Sequence, residues 1–142
     1  MTRDEALVIV KNLPEGDYAE CGVFQGASAR IIYAGMAPNA TLFLCDTFTG
    51  HPKPSEHDHE SHYKGRYGNT SVAQVVNNLP STERVEFVVG DFKNSLWAIR
   101  DKKFRFVHCD CDLYESYLAV VRFFKLRMVS GGIIVFDDIR VS

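Results

Sequence analysis

The sequence predicts an α/β protein built on a doubly wound sheet of five parallel strands with helices on both faces. Three observations carry that prediction. Short apolar runs alternate with segments of helical periodicity from Tyr18 onward, strand then helix, until a fifth run closes the series. The first run ends in glycines and leads directly into a helical stretch. The chain has 142 residues, 46% hydrophobic and 24% charged, which fits one ordinary globular domain over residues 1–142 with its core in 17–138. Crossovers between parallel strands are right-handed, and ligands bind beyond the carboxyl ends of such strands. Functional residues are therefore expected just after each strand.

Each element has a local reason. Thr2-x-x-Glu5 is a capping box that opens a helix with Leu7 and Val10 on one face, closed by Pro14-Glu-Gly16. Tyr18–Phe24 is the first strand, and Ala27–Met36 a helix stopped near Pro38-Asn39. Thr41–Cys45 is the second strand, followed by a long polar loop. Ser71-x-x-Gln74 is a second capping box, and Val72, Val75, Val76 and Leu79 keep helical spacing after it. Val85–Val89 reads as strand three, Phe92–Arg100 as a helix and Phe104–Cys109 as strand four. A helix with Tyr117, Val120, Val121 and Phe124 on one face precedes strand five, Gly132–Phe136.

Charge and composition exclude several functions. Sixteen basic against eighteen acidic residues leave a net charge of -2, which neither nucleic acid nor an anionic membrane surface attracts strongly. The apolar runs fall far short of the roughly 20 residues that cross a bilayer. The N-terminus carries acids where a signal peptide carries bases, so a cytoplasmic protein is expected. Cys21, Cys45, Cys109 and Cys111 lie within or beside apolar runs without a Cys-x-x-Cys pair, and read as free buried thiols.

The strand ends hold the chemistry. Glu20-Cys-Gly22-Val-Phe-Gln-Gly26-Ala-Ser28 joins two glycines, which allow a tight turn and close approach of a ligand at a helix N-terminus, to an acid. Phe24 stands where a dinucleotide fingerprint has its middle glycine, and the Glu20 carboxylate suits a cationic ligand better than a pyrophosphate. Asp46, twenty-six residues after Glu20, can accept ribose hydroxyls or cap a turn. Asp91 can meet an adenine amino group or cap a helix. His108-Cys-Asp110-Cys-Asp112 and Phe136-Asp137-Asp138 end two neighbouring strands, with Asp110 and Asp112 expected on the side away from the cysteines. Asp110, Asp137 and Asp138 can converge, and a hard divalent ion such as Mg²⁺ would relieve their repulsion. The loop with His51, His57, His59, His62, Lys64 and Arg66 is long enough to act as a lid. Trp97 receives no role.

Together these segments resemble the macrocin O-methyltransferase family. The resemblance rests on Glu20-x-Gly-Val-Phe-Gln-Gly-x-Ser, Asp46-Thr-Phe-Thr-Gly-His-Pro, Lys64-Gly-Arg-Tyr, Asp110-x-Asp-Leu-Tyr-Glu-Ser and Gly131-Gly-Ile-Ile-Val-Phe-Asp-Asp. It implies a Rossmann-like methyltransferase sheet of order 3-2-1-4-5, S-adenosylmethionine and Mg²⁺ as cofactors, and a sugar hydroxyl as acceptor. It further implies that Glu20, Gly22, Gly26 and Ser28 line the methionine end of the cofactor, Asp46 the ribose and Asp91 the adenine. Asp110, Asp137 and Asp138 would bind the metal, and Asp110, with Asp112 second, would be the general base. Members of that family are longer, so the chain is expected to lack an N-terminal extension and a C-terminal antiparallel strand pair. An unprotected strand 132–136 then predicts a homo-oligomer that covers it. Two other readings are a metal-dependent glycosyltransferase or phosphatase using Asp110-x-Asp112, and a non-catalytic cofactor-binding remnant.

Overall fold

The computed structural model describes residues 1–50, 55–58, 63–65, 68 and 70–137. Five parallel strands, β1 (Asp17–Cys21), β2 (Leu42–Asp46), β3 (Val85–Val89), β4 (Phe104–Cys109) and β5 (Met128–Phe136), form one sheet of order β3-β2-β1-β4-β5. This is the order the resemblance implied. The helices are α1 (Arg3–Val10), α2 (Ala27–Gly35), α3 (Val72–Asn78), α4 (Phe92–Ser95) and α5 (Tyr114–Phe124). Both capping boxes supply an N-cap: Thr2 Oγ1 accepts from the Glu5 N–H at 3.2 Å, and Ser71 Oγ from the Gln74 N–H at 3.1 Å. Among the described residues, no helix is long and apolar enough to cross a membrane.

The sheet divides two apolar cores. One joins Tyr18, Leu42, Leu44, Phe106 and Val135 to Ala6, Leu7 and Val10 of α1, Ile32 of α2 and Val75 of α3. The other packs Ala19, Phe43, Phe104 and Val107 against Phe92, Leu96 and Ile99 and against Val120, Phe123 and Phe124 of α5. Strict alternation would put Phe104 and Phe106 on one face. They lie on opposite faces because the β1–β4 register slips there, with Asp17 opposite Phe104 and Tyr18 opposite Phe106. The bulge frees Arg105 to reach the link between α1 and β1, where its Nε donates to the Gly16 carbonyl at 2.6 Å and its Nη1 to the Leu13 carbonyl at 2.8 Å. A buried guanidinium thereby satisfies carbonyls of the turn that links α1 to β1.

Some boundaries and one buried face differ from the expected ones. β1 stops at Cys21 because the chain turns at Gly22 and Phe24, both with positive φ. The helix after β3 is α-helical only to Ser95 and continues as a 3-10 helix over Leu96–Ile99. Phe123, rather than Val121, completes the buried face of α5. β5 begins four residues early, at Met128, and bulges between Met128, opposite Phe104, and Ile133, opposite Phe106.

Candidate active site

The carboxyl ends of β1, β2, β3 and β4 enclose a pocket of about 410 Å³ whose walls include Gly22, Ser28, Asp46, Asp91, Asp110 and Asp112. Six residues singled out from separate segments of the sequence thus share one cavity. Gly26 and Glu20 do not line it, and neither does Asp137.

The turn after β1 is held from within. Gly22 has φ +92°, and a Cβ there would sit 2.0 Å from the Asp110 carbonyl oxygen. Gly26, at φ +94°, is the N-cap of α2, where a Cβ would meet Val75 Cγ1 at 3.0 Å. The protein's own backbone and core therefore demand both glycines before any ligand does. Asp46 clasps the same turn: Oδ2 accepts from the Val23 N–H at 2.8 Å and the Phe24 N–H at 3.1 Å, while Oδ1 accepts from the Phe48 N–H at 3.2 Å. With the Thr47 hydroxyl also 3.4 Å from Oδ1, these donors take up most of a carboxylate's roughly four acceptor positions. The turn-capping role is thus present, and Asp46 also lines the pocket. Asp91 likewise caps α4, accepting from the Lys93 N–H at 3.2 Å, with its side chain in the pocket wall.

Glu20 lies beneath the turn, fully buried in the sheet. Its register partner on β4 is His108, and Glu20 Oε2 sits 2.8 Å from His108 Nδ1. Burial pushes the Glu20 carboxyl above its ordinary range, with His108 the strongest of the groups pulling it back and Ser28 and Arg3 adding to that pull. Its other oxygen, Oε1, has no hydrogen-bond partner of good geometry. His108 also points Nε2 at Asp137 Oδ2, 3.9 Å away, so one imidazole stands between acids from β1 and from the end of β5. His108 was not among the candidate residues; only its register across from an acid marks it.

Asp110 and Asp112 follow β4. The β1–β4 ladder continues through the Asp110 N–H to the Cys21 carbonyl at 2.9 Å, and the Asp137 N–H bonds the Cys109 carbonyl at 2.9 Å. Cys109 and Cys111 turn together into the second core with sulfurs 3.4 Å apart, which leaves the two aspartates to the pocket. Asp112 takes φ +60°, and the Leu113 N–H closes a tight turn onto the Cys111 carbonyl at 2.6 Å. Burial first, then the charges of Asp112 and Asp137, raise the Asp110 pKa to about 6, with His108 acting in the opposite sense. Among the described residues no three His, Cys, Asp or Glu side chains are grouped to hold a metal ion. Asp138, the third expected ligand, lies outside the described residues.

Of the polar loop, His51, His59, His62, Arg66 and Tyr67 also lie outside the described residues. Asp58, which sequence reasoning passed over, accepts from the Tyr114 N–H at 2.6 Å and so caps α5 from 56 positions away. His57 stacks on Tyr114 with ring centres 4.4 Å apart. All four cysteines are free and buried, as expected.

A sequence model of the macrocin O-methyltransferase (TylF) family matches residues 3–142. The chain belongs to the macrocin O-methyltransferase family. Its relatives within and around that family include the mycinamicin III 3''-O-methyltransferase of Micromonospora griseorubida, 27% identical over 139 residues, covering 87% of this chain and 55% of the relative. The demethyldecarbamoylnovobiocin O-methyltransferase of Streptomyces niveus is 27% identical over 145 residues, covering 92% and 55%. Among solved structures, the O-methyltransferase NovP superposes with a TM-score of 0.78 at 24% identity over 95% of this chain and 63% of NovP. The calicheamicin methyltransferase CalS11 gives 0.72 at 24% identity, over 95% and 62%. Those two likenesses establish the fold. This macrocin O-methyltransferase family member spans little more than half the length of the curated relatives it matches.

Proposed function

We propose that the chain binds S-adenosylmethionine in the strand-end pocket and transfers its methyl group to a hydroxyl of a sugar or related small molecule, assisted by a divalent cation such as Mg²⁺. The observation that carries this reading is the convergence of the Gly22 turn, Asp46, Asp91, Asp110 and Asp112 on one cavity. Membership in a methyltransferase family narrows what such a cavity does and disfavours glycosyl transfer or phosphatase chemistry for Asp110-x-Asp112. The relatives named above methylate, by their names, antibiotic substrates.

When bound, S-adenosylmethionine supplies an electrophilic methyl on a sulfonium, and a divalent cation supplies positive charge that acidifies a nearby hydroxyl. The residues fit both groups. Asp46 and Asp91, both in the pocket wall, would face the ribose hydroxyls and the adenine. Asp110 and Asp137, crowded enough for their charges to raise the Asp110 pKa, are hard oxygen donors of the type that holds Mg²⁺ through one or two carboxylates. Asp110 takes the acceptor proton on a carboxylate oxygen as the oxygen attacks the methyl. Asp112, in the same wall, is the second candidate for that proton. The four unpaired cysteines suit a reducing, cytoplasmic setting.

The test is a titration with S-adenosylhomocysteine, with and without Mg²⁺, followed by melting temperature. A ligand at a hundred times its Kd adds about 2.7 kcal/mol to the folded state. Absence of any shift at millimolar ligand would overturn the reading. Binding without methylation of any sugar acceptor would instead mark the chain as a non-catalytic cofactor-binding unit.

The nine-residue edge strand β5 pairs only with β4 among the described residues, and Ile133, Ile134 and Phe136 are only partly covered. We place a second copy of the chain across its 132–136 segment, since long unpaired edges invite pairing. A monomer of about 16 kDa by light scattering would refute that assembly.

A further inference from the structure

We infer that Arg3 recognises the carboxylate of the ligand's amino-acid end, an inference that rests on the S-adenosylmethionine reading above. The pocket wall contains four aspartates, Asp46, Asp91, Asp110 and Asp112, and no basic residue among the described ones. A sulfonium and an ammonium suit such a wall, but a carboxylate is repelled by it and needs a cation close by. Arg3 is that cation. From the first turn of α1 its Nη1 donates to Ser28 Oγ at 2.9 Å, and Ser28 is itself part of the wall.

Position within the sheet agrees. α1 packs on β4 and β5, across β1 from β2 and β3, where Asp46 and Asp91 stand. A ligand with its adenosine on Asp46 and Asp91 therefore extends its other end towards Ser28 and Arg3. The guanidinium is not locked away from that end. Its side chain is 27% exposed, and among the described residues its other hydrogen bond is Nε to Asp4 Oδ1 at 2.9 Å, a surface pair of small energy. Five N–H donors leave some for a two-pronged grip on a carboxylate. α2 begins beside it without a side-chain cap, so the first-turn amides add donors of the same sense. Glu20 Oε1, buried and without a partner, lies close enough for its carboxyl to feel Arg3. A positive and a negative group thus stand side by side, as the two charges of an amino acid require.

The experiment compares two ligands by calorimetry: S-adenosylhomocysteine, and 5′-methylthioadenosine, which keeps the adenosine and thioether but lacks the amino-acid group. Arg3→Gln should weaken S-adenosylhomocysteine by roughly 10- to 100-fold, the range of a charge-assisted hydrogen-bonded contact, and leave 5′-methylthioadenosine within twofold. Arg3→Lys, which keeps the charge but loses the fork, should fall between. An unchanged S-adenosylhomocysteine affinity in Arg3→Gln overturns the role of Arg3 while the cofactor reading stands. Equal loss for both ligands assigns Arg3 to the fold and also overturns it. A wild-type protein that binds neither ligand refutes the cofactor reading itself.

Discussion

Replacing Asp110 by Asn should stabilise the ligand-free protein while removing its proposed base. The carboxyl titrates near 3.8 when unperturbed and near 6 in the folded chain. A folded pKa raised above the unfolded one means that the contribution to stability is fully present below pH 3.8 and is lost as pH rises through 6. Each pKa unit corresponds to about 1.4 kcal/mol, so the full gap is about 3 kcal/mol. Asp110 is only half-buried, and solvent screening reduces this to roughly 1–2 kcal/mol. Asparagine keeps the shape without the charge, so Asp110→Asn should melt about 3–8 °C above wild type at pH 8. The gap should shrink between pH 6 and 4 and vanish below that. Mg²⁺ should raise the wild-type melting temperature more than that of the variant, because only the wild type presents the full carboxylate set. Differential scanning calorimetry across pH 4 to 8 measures all of this. An Asn variant that melts at or below wild type at pH 8, or a gap that ignores pH, would refute the charge-crowding argument.

Gly22→Ala should cost at least about 3 kcal/mol and abolish S-adenosylhomocysteine binding, since its Cβ collides with the Asp110 carbonyl and its φ is positive; circular dichroism melts check this. Asp46→Ala removes the acceptor of three backbone N–H groups and should lower stability by about 2–3 kcal/mol and ligand affinity more than tenfold, read by calorimetry. His108→Leu leaves the buried Glu20 carboxyl without its partner and should cost about 3–5 kcal/mol, whereas the double change with Glu20→Leu should recover most of that in urea titrations.

Much of the fold was legible because its signals are local. Both capping boxes, the strands Val85–Val89 and Phe104–Cys109, and the helical spacing from Val72 to Leu79 each depend on residues a few positions apart. The face on which Phe104 packs is not legible in the sequence, because a bulge is decided by pairing with β1, not by the apolar pattern of β4. The early start of β5 escaped notice because Ser130-Gly-Gly looks like a turn when its neighbour strand is unknown.

For the candidate site, the sequence by itself determined which residue types follow each strand, because a parallel sheet aligns all of its carboxyl ends. That was enough to single out Asp46 and Asp91 for a cofactor and Asp110 and Asp112 for metal and base chemistry before any contact was known, and one pocket has all four in its wall. Only the tertiary structure decided that Glu20 turns inward to His108, 88 positions away, and that Arg3 arrives beside Ser28 from a helix outside the sheet. It also decided that Asp46 spends most of its acceptors on the turn it was expected to face. The physical reason is common to all three. Strand order and register bring together groups remote in sequence, and a carboxylate's role depends on which donors reach it first.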